Sequence, residues 1–134
     1  MRVVFDTNVL IAAFLTEGVC SKLLLRARKR ECDLILSKAI VAEFEEVLAK
    51  KFSVSSSDLS NVRSLVKEAA GEILQEVNPI QPFCRDPNDD KILSCAKEAK
   101  ADYLVTGDQD LLVLSRFEDI PIITPRDFEA LFSD

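Results

Sequence analysis

Residues 1–10 read MRVVFDTNVL, and their order governs how the rest of the chain is read. Val3, Val4 and Phe5 form an apolar run without polar alternation, as in a parallel strand covered on both faces. The run stops at Asp6, and Thr7 and Asn8 follow before apolar residues resume at Val9. Ligands of open parallel sheets bind outside the carboxyl ends of the strands, so a carboxylate at this point is a candidate for chemistry. Asp6, Thr7 and Asn8 are equally good caps for a helix beginning near Val9, and the stretch alone leaves both readings open.

Three further runs repeat the pattern, at residues 33–36, 103–106 and 120–123, each short and nearly continuously apolar. Helical stretches fill the gaps. Ser21 caps a helix to about residue 30, Ser37 one to about 52, Ser57 one to about 76 and Asp86 one to about 100. Another runs from Gln109 to Ser115, and Thr124-Pro125 opens the last, with proline at its first position. Alternating strands and helices predict an α/β fold, with a central, mainly parallel twisted sheet of four to five strands between two helix layers. Two long helices between the second and third strands form a helical arm. Only the segment around residues 53–60 is a polar connection, so residues 1–134 are expected to form a single domain.

Composition narrows the chemistry. The chain has no histidine, and Cys20, Cys32, Cys84 and Cys95 form no CxxC pair, which excludes a zinc site and a histidine-based triad. Carboxylates, lysines and hydroxyls remain, and clustered carboxylates take hard cations such as magnesium or manganese. No 18-residue apolar run or secretory leader is present, so a cytoplasmic location is expected. The net charge of −6 argues against a protein that coats nucleic acid electrostatically. Lys22, Arg26, Arg28, Lys29 and Arg30 nevertheless form a basic cluster, and Lys50 with Lys51 a smaller one. These are either solvated helix ends, a phosphate groove or a contact for an acidic partner.

Acidic residues recur at element ends. The third strand runs into Gly107, Asp108, Gln109 and Asp110; Asp108 suits a helix cap, which leaves Asp110 over. In RDPNDDKILSCA, Asp86 and Pro87 match an N-cap and first helical position, Asp89 the third helical position, and Asp90 has no capping role. In SKAIVAEFEEVLAKKF, Glu46 lies opposite the apolar face while Glu43 and Glu45 border it, and periodicity does not choose between them. Like charges gathered at one sheet edge repel unless a cation separates them, so the set points to a metal site.

Taken in order, VVFDTNVLIAAF (3–14), SKAIVAEFEEVL (37–48), DPNDDKILSCAKEAKADYLVTGDQDLL (86–112) and IITPRDFEALF (122–132) resemble the PIN-domain ribonucleases, particularly the VapC-like toxins of prokaryotic toxin–antitoxin systems. The resemblance covers essentially the whole chain. It implies that Asp6, Glu43, Asp90 and Asp108 are catalytic metal ligands, with Asp110 a fifth acid, and that Asn8 and Thr106 orient neighbouring carboxylates. It thus selects Glu43 over Glu45, and Asp90 over Asp86 and Asp89. It further implies one or two Mg2+ or Mn2+ ions, cleavage of single-stranded or looped RNA by metal-activated water, a cognate antitoxin and a homodimer. Arg85 and Lys91 are the basic residues nearest these motifs in sequence.

Three other readings fit less well. A phosphatase of the haloacid dehalogenase type needs D-x-D at the first strand, where this chain has Asn8 as the second residue. A phosphate-accepting receiver domain needs an aspartate where Leu34-Ile35-Leu36 ends at Ser37. A non-catalytic PIN-like module that only binds a partner gains nothing from concentrated negative charge.

Overall fold

In the computed structural model, which describes residues 1–133, the opening run is strand β1 (Arg2–Phe5). Helices α1 (Thr7–Leu15) and α2 (Val19–Arg28) lead to β2 (Asp33–Ser37), and α3 (Lys38–Lys51) and α4 (Ser56–Ala69) lead to β3 (Ala70–Leu74). An irregular connection precedes α5 (Pro87–Glu98), followed by β4 (Tyr103–Val105), α6 (Gln109–Leu112), β5 (Arg116–Phe117), β6 (Ile120–Ile123) and α7 (Pro125–Glu129). The six strands form one sheet in the order β3-β2-β1-β4-β6-β5, parallel throughout except for β5 against β6.

Strand register explains why the central strands carry no polar alternation. Val3, Val4 and Phe5 pair with Tyr103, Leu104 and Val105, and Leu34 to Leu36 lie alongside, with every one of these residues except Tyr103 fully buried. Burial of both faces favours continuous apolar runs. Phe128 of α7 closes one side of this core, edge to face with Phe5 at 6.3 Å and with Tyr103 at 5.9 Å.

Two strands escape the sequence pattern. The helix expected from Ser57 to about residue 76 is capped by Ser55, which accepts from the Asp58 amide, and ends at Ala69, where the chain turns extended at Ala70 to pair β3 with β2. Gly71 is the local weakness, since glycine costs about 1 kcal/mol relative to alanine inside a helix. The sheet edge offers Ile73 and Leu74 partners that a longer helix would forgo. Strand β5 is only two residues long and carries no periodicity at all. Helix α2 begins at Val19 rather than at Ser21, because Gly18 supplies the cap position without a side-chain bond.

Four of the five residues of the basic cluster around α2 are engaged within the protein, and Lys29 is exposed. Arg26, 4% exposed, donates from Nε and Nη2 to the two oxygens of Glu129 at 2.7 and 2.8 Å and from Nη1 to Glu31 at 2.5 Å. Its guanidinium lies 4.2 Å from the centroid of the Phe132 ring. Lys22 pairs with Glu129, Arg28 with Glu68, and Arg30 donates to the carbonyls of Ala27, Glu68 and Ala69. These side chains join α2 to α7 and to the end of α4. Among the described residues no single helix is long and apolar enough to cross a membrane.

The Arg26–Glu129 pair should carry measurable stability. Hydrogen bonds from Arg26 and Lys22 hold the Glu129 carboxyl below its ordinary pKa, so its contribution is present above that value and lost as pH falls through the lowered one. Glu129→Ala leaves a buried guanidinium still bonded to Glu31 but without its bidentate partner, and a cost of about 3 kcal/mol in urea unfolding near neutral pH is expected. Glu31→Ala should cost less, because Glu31 is the more exposed partner.

Candidate active site

The order β3-β2-β1-β4-β6 means that the chain winds outward from β1 in one direction and then returns to its other side. The crevice between the carboxyl ends of β1 and β4 is therefore the switch point, where open parallel sheets place ligands. Asp6 and Thr106 are the first residues beyond these two strands, and both remain tied to the sheet. The Asp6 amide donates to the Val105 carbonyl at 3.0 Å, and the Thr106 amide donates to that of Ile123 at 3.0 Å.

The Asp6 carboxylate is 5% exposed. One oxygen accepts from the Thr106 hydroxyl at 2.6 Å; the other accepts from the Asn8 amide at 3.4 Å as the N-cap of α1. Capping and membership of the site are thus not alternatives for this residue. Burial pushes its pKa up, and neighbouring Asp108 adds to the rise, while the bonds from Thr106 and Asn8 oppose it. Thr106 Oγ1 also accepts from the Asp108 amide at 3.0 Å, so one buried hydroxyl links the two acids. Asp108 caps α6 by accepting from the Asp110 amide at 2.9 Å.

Glu43 enters from α3, where Thr7 Oγ1 donates to its Oε2 at 3.4 Å. Burial raises its pKa, and the charges of Asp6 and Asp86 add to this, with Lys91 opposing. Its neighbours on the helix are engaged elsewhere: Glu45 pairs with Arg63 of α4, and Glu46 with Lys50 one turn on. The choice that periodicity leaves open is therefore made by α4, whose arginine draws Glu45 aside.

On α5, Asp89 and not Asp90 is turned toward this group. Asp89 is 8% exposed, and its pKa is pushed up to about 6, first by burial and then by Asp108, Asp86, Asp6 and Asp110. Asp90 instead accepts from the amides of Cys84 at 2.8 Å and Phe83 at 3.3 Å, and the Cys84 amide is the main reason its pKa is lowered. The cause is a stripe of acceptors. Asp90, Ser94 and Glu98, four residues apart on one helix face, take the amides of Phe83 and Cys84, of Ile80 and of Asn78. The irregular chain before α5 must satisfy its amides somewhere, and this stripe does so. A turn of about 100° per residue then carries Asp89 to a different face.

Other expected members stand apart. Asp110 is exposed and holds Arg85 through both oxygens, at 2.9 and 3.0 Å. Asn8 contributes its backbone amide to Asp6 while its side chain is exposed. Asp86 caps α5 through the Asn88 amide at 2.9 Å and lies close enough to raise the pKa of Glu43 and Asp89.

Four carboxylates from four elements, Asp6, Glu43, Asp89 and Asp108, are thus coupled at one sheet edge. Among the described residues no three Asp, Glu or Cys side chains stand close enough to form a ready-made coordination cage. The donors are nonetheless all hard oxygen, partly desolvated and mutually repulsive. Such a set suits an ion like magnesium, which keeps several waters and rests on one or two carboxylates instead of a closed protein cage.

A protein-family model described as the PIN domain matches residues 2–110. The chain belongs to the PIN-domain family. The uncharacterized protein MJ1680 of Methanocaldococcus jannaschii is 31% identical over 125 residues, covering 85% of this chain and 75% of that one. Two solved structures share the fold. FitAcB from Neisseria gonorrhoeae aligns with a TM-score of 0.62 at 18% identity, over 92% of this chain and 98% of that chain. VapBC2 from Rickettsia felis, bound to a DNA fragment from its promoter, aligns with a TM-score of 0.58 at 16% identity over the same shares.

The coupled charges of this PIN domain should be visible in its stability. A carboxyl raised to about 6 in the folded state favours folding below its ordinary value of 3.8, and that advantage is lost as pH rises through about 6. In urea unfolding with EDTA, Asp89→Asn should therefore raise the midpoint at about pH 7.5 and change it little at about pH 4. Equal effects at both pH values would mean that Asp89 is not held against its neighbours' charge.

Proposed function

We propose that this PIN domain is a metal-dependent endoribonuclease that cleaves single-stranded or looped RNA, and that it acts as the toxin of a toxin–antitoxin pair, with a homodimer as its working form. The observation that carries the reading is Asp6, a buried carboxylate at the switch point, coupled to Glu43, Asp89 and Asp108 in a chain without histidine. The family supports nuclease chemistry, and the fold shared with VapBC2 and FitAcB supports a toxin role with an antitoxin partner.

Asp6, Glu43, Asp89 and Asp108 would hold the ion. A bound magnesium or manganese ion supplies Lewis acidity toward water and the phosphate oxygens. The protein's own part is to keep the ligands in place. Thr106 fixes one oxygen of Asp6 and the backbone of Asp108, Thr7 restrains Glu43, and the Asp90 latch sets the rotation of α5 that turns Asp89 inward. Asp90 thereby passes from the ligand set to a positioning role, and Asp89 takes its place.

The test is cleavage of a fluorescent single-stranded RNA in manganese, in magnesium and in EDTA. Activity should vanish in EDTA, and Asp6→Asn and Asp89→Asn should lose about 100-fold or more while remaining folded. Asp90→Asn should lose less, about 10-fold, since it keeps one carbonyl acceptor for the Cys84 amide. Undiminished cleavage by Asp6→Asn or in EDTA would overturn the assignment. If calorimetry finds no uptake of manganese, the chain is instead a PIN-like module that acts by binding a partner.

A further inference from the structure

The two helices that deliver Glu43 and Asp89 also wall a cavity of about 190 Å3. Ala39, one turn before Glu43 on α3, lines one side; Lys91, two residues after Asp89 on α5, lines the other; and Leu74 at the end of β3 lies between, followed by Gln75 and Val77. The cavity therefore opens at the same carboxyl edge of the sheet as the acids. Lys91 is near enough to Glu43 to act on its charge, which makes cavity and acid group neighbours.

The lining has a definite chemical character. Leu74, Val77 and Pro79 make it mainly apolar, and its hydroxyls are already engaged: Ser37 with the Ile40 amide, Ser94 with the Ile80 amide and the Asp90 carbonyl. Gln75 is left as the polar group, with one amide hydrogen on the Ile73 carbonyl at 3.3 Å. Lys38 and Lys91 border the cavity, are exposed, and form no ion pair with a carboxylate among the described residues. Lys38 also occupies the first position of α3, where the helix dipole adds positive potential. By contrast Lys22, Arg26, Arg28, Arg63 and Arg85 are all paired.

Size and charge then select the occupant. A cavity of about 190 Å3 falls below the roughly 300–1,000 Å3 that encloses a whole drug-sized ligand, so it takes one ring system and not a complete nucleotide. Exposed lysines at its rim favour an anion attached to that ring. A base held in a duplex stack has no access to such a slot, whereas the bases of a single strand can be splayed into it. An acidic peptide would match the lysines as well, and loss of a protein partner is the outcome that would reveal it.

We propose that the cavity is a nucleobase subsite. It receives the base of a nucleotide flanking the cleaved phosphate of single-stranded RNA, with the adjoining phosphate between Lys38 and Lys91 and the Gln75 amide on the base edge. The proposal rests on the ribonuclease reading of the acid site and extends it to how the strand is held.

Binding can be read apart from cleavage by fluorescence anisotropy, with Asp6→Asn protein in magnesium and a 5′-fluorescein single-stranded RNA hexamer. The comparison strands carry one abasic ribose at successive positions. Lys38→Gln and Lys91→Gln should weaken every strand several-fold, and each should reduce the slope of log affinity against log salt by about 0.7. Val77→Trp, which fills the slot, and Gln75→Ala, at an exposed position that leaves the fold undisturbed, should weaken the intact strand by about 10-fold and about 3-fold. Both should match the parent on the strand whose missing base is the one bound. Equal affinity of Val77→Trp and Gln75→Ala for intact and abasic strands at the parent's level overturns the subsite, as does a lysine effect with no sensitivity to any missing base. Variants that keep RNA affinity but lose a protein partner overturn it in favour of a protein contact. Parent protein that binds no single-stranded RNA removes the ribonuclease reading as well, whereas full cleavage by Val77→Trp in an otherwise wild-type chain removes only the subsite.

Discussion

The hydrogen bond from Thr106 to Asp6, 2.6 Å long and wholly buried, is the constraint on which the carboxyl edge of the sheet depends. It joins the ends of β1 and β4, the two strands between which the chain reverses direction. The same hydroxyl receives the Asp108 amide, so the position of the second acid follows from the first. A buried carboxylate loses several kcal/mol of hydration, and two or three hydrogen bonds recover only part of it. Burial accordingly outweighs those bonds in setting the Asp6 pKa. The apolar strands beneath, from Val3 to Phe5 and from Leu34 to Leu36, stabilise the fold enough to hold the charge there.

Charge is sorted across the molecule in a way that the overall balance of −6 conceals. Arginines of α2 and α4 are committed to partners within the fold: Arg26 to Glu129 and Glu31, Arg28 to Glu68, Arg30 to carbonyls at the end of α4, Arg63 to Glu45. Glu129, Glu31, Glu68 and Glu45 are thereby taken out of contention. The acids at the switch point, Asp6, Glu43, Asp89 and Asp108, are buried or half-buried and have no arginine partner among the described residues, with Lys91 beside Glu43. The acid group is thus distinguished by burial combined with the lack of a nearby arginine, and not by which acids the chain contains.

The same distinction explains what was legible in the sequence. Strands buried on both faces announce themselves, as β1, β2 and β4 do, because their composition is dictated by the core, and β6 shares their apolar run with one face half-buried. Strand β3 lies at the sheet edge, half exposed and continuous with a helix, so only Gly71 marks the change. Caps were legible because they are local: Ser37, Asp86 and Thr124 each bond an amide two or three residues on. The sequence favours Asp90 over Asp89, but the orientation of the two depends on amides supplied by the chain from Asn78 to Cys84, which forms no regular element. Glu43 and Glu45 differ for the same reason, through an arginine 18 residues beyond Glu45.

Capping and acidity are themselves connected through topology. In a parallel sheet every strand ends where the next helix begins, so the carboxyl edge collects helix N-termini, and α1, α3, α5 and α6 are capped there by Asp6, Ser37, Asp86 and Asp108. Their dipoles favour negative charge, by roughly 0.3–1 kcal/mol each. That is enough to make acids the natural residues at this edge and too little to offset the several kcal/mol lost when carboxylates are buried beside one another. The raised pKa values of Asp6, Glu43 and Asp89 measure the shortfall in direction: negative charge here is still short of positive partners after the dipoles, hydroxyls and amides have contributed. A divalent cation is the partner whose charge is large enough to close that gap, and this links the burial of Asp6 to the metal-dependent chemistry proposed for the site.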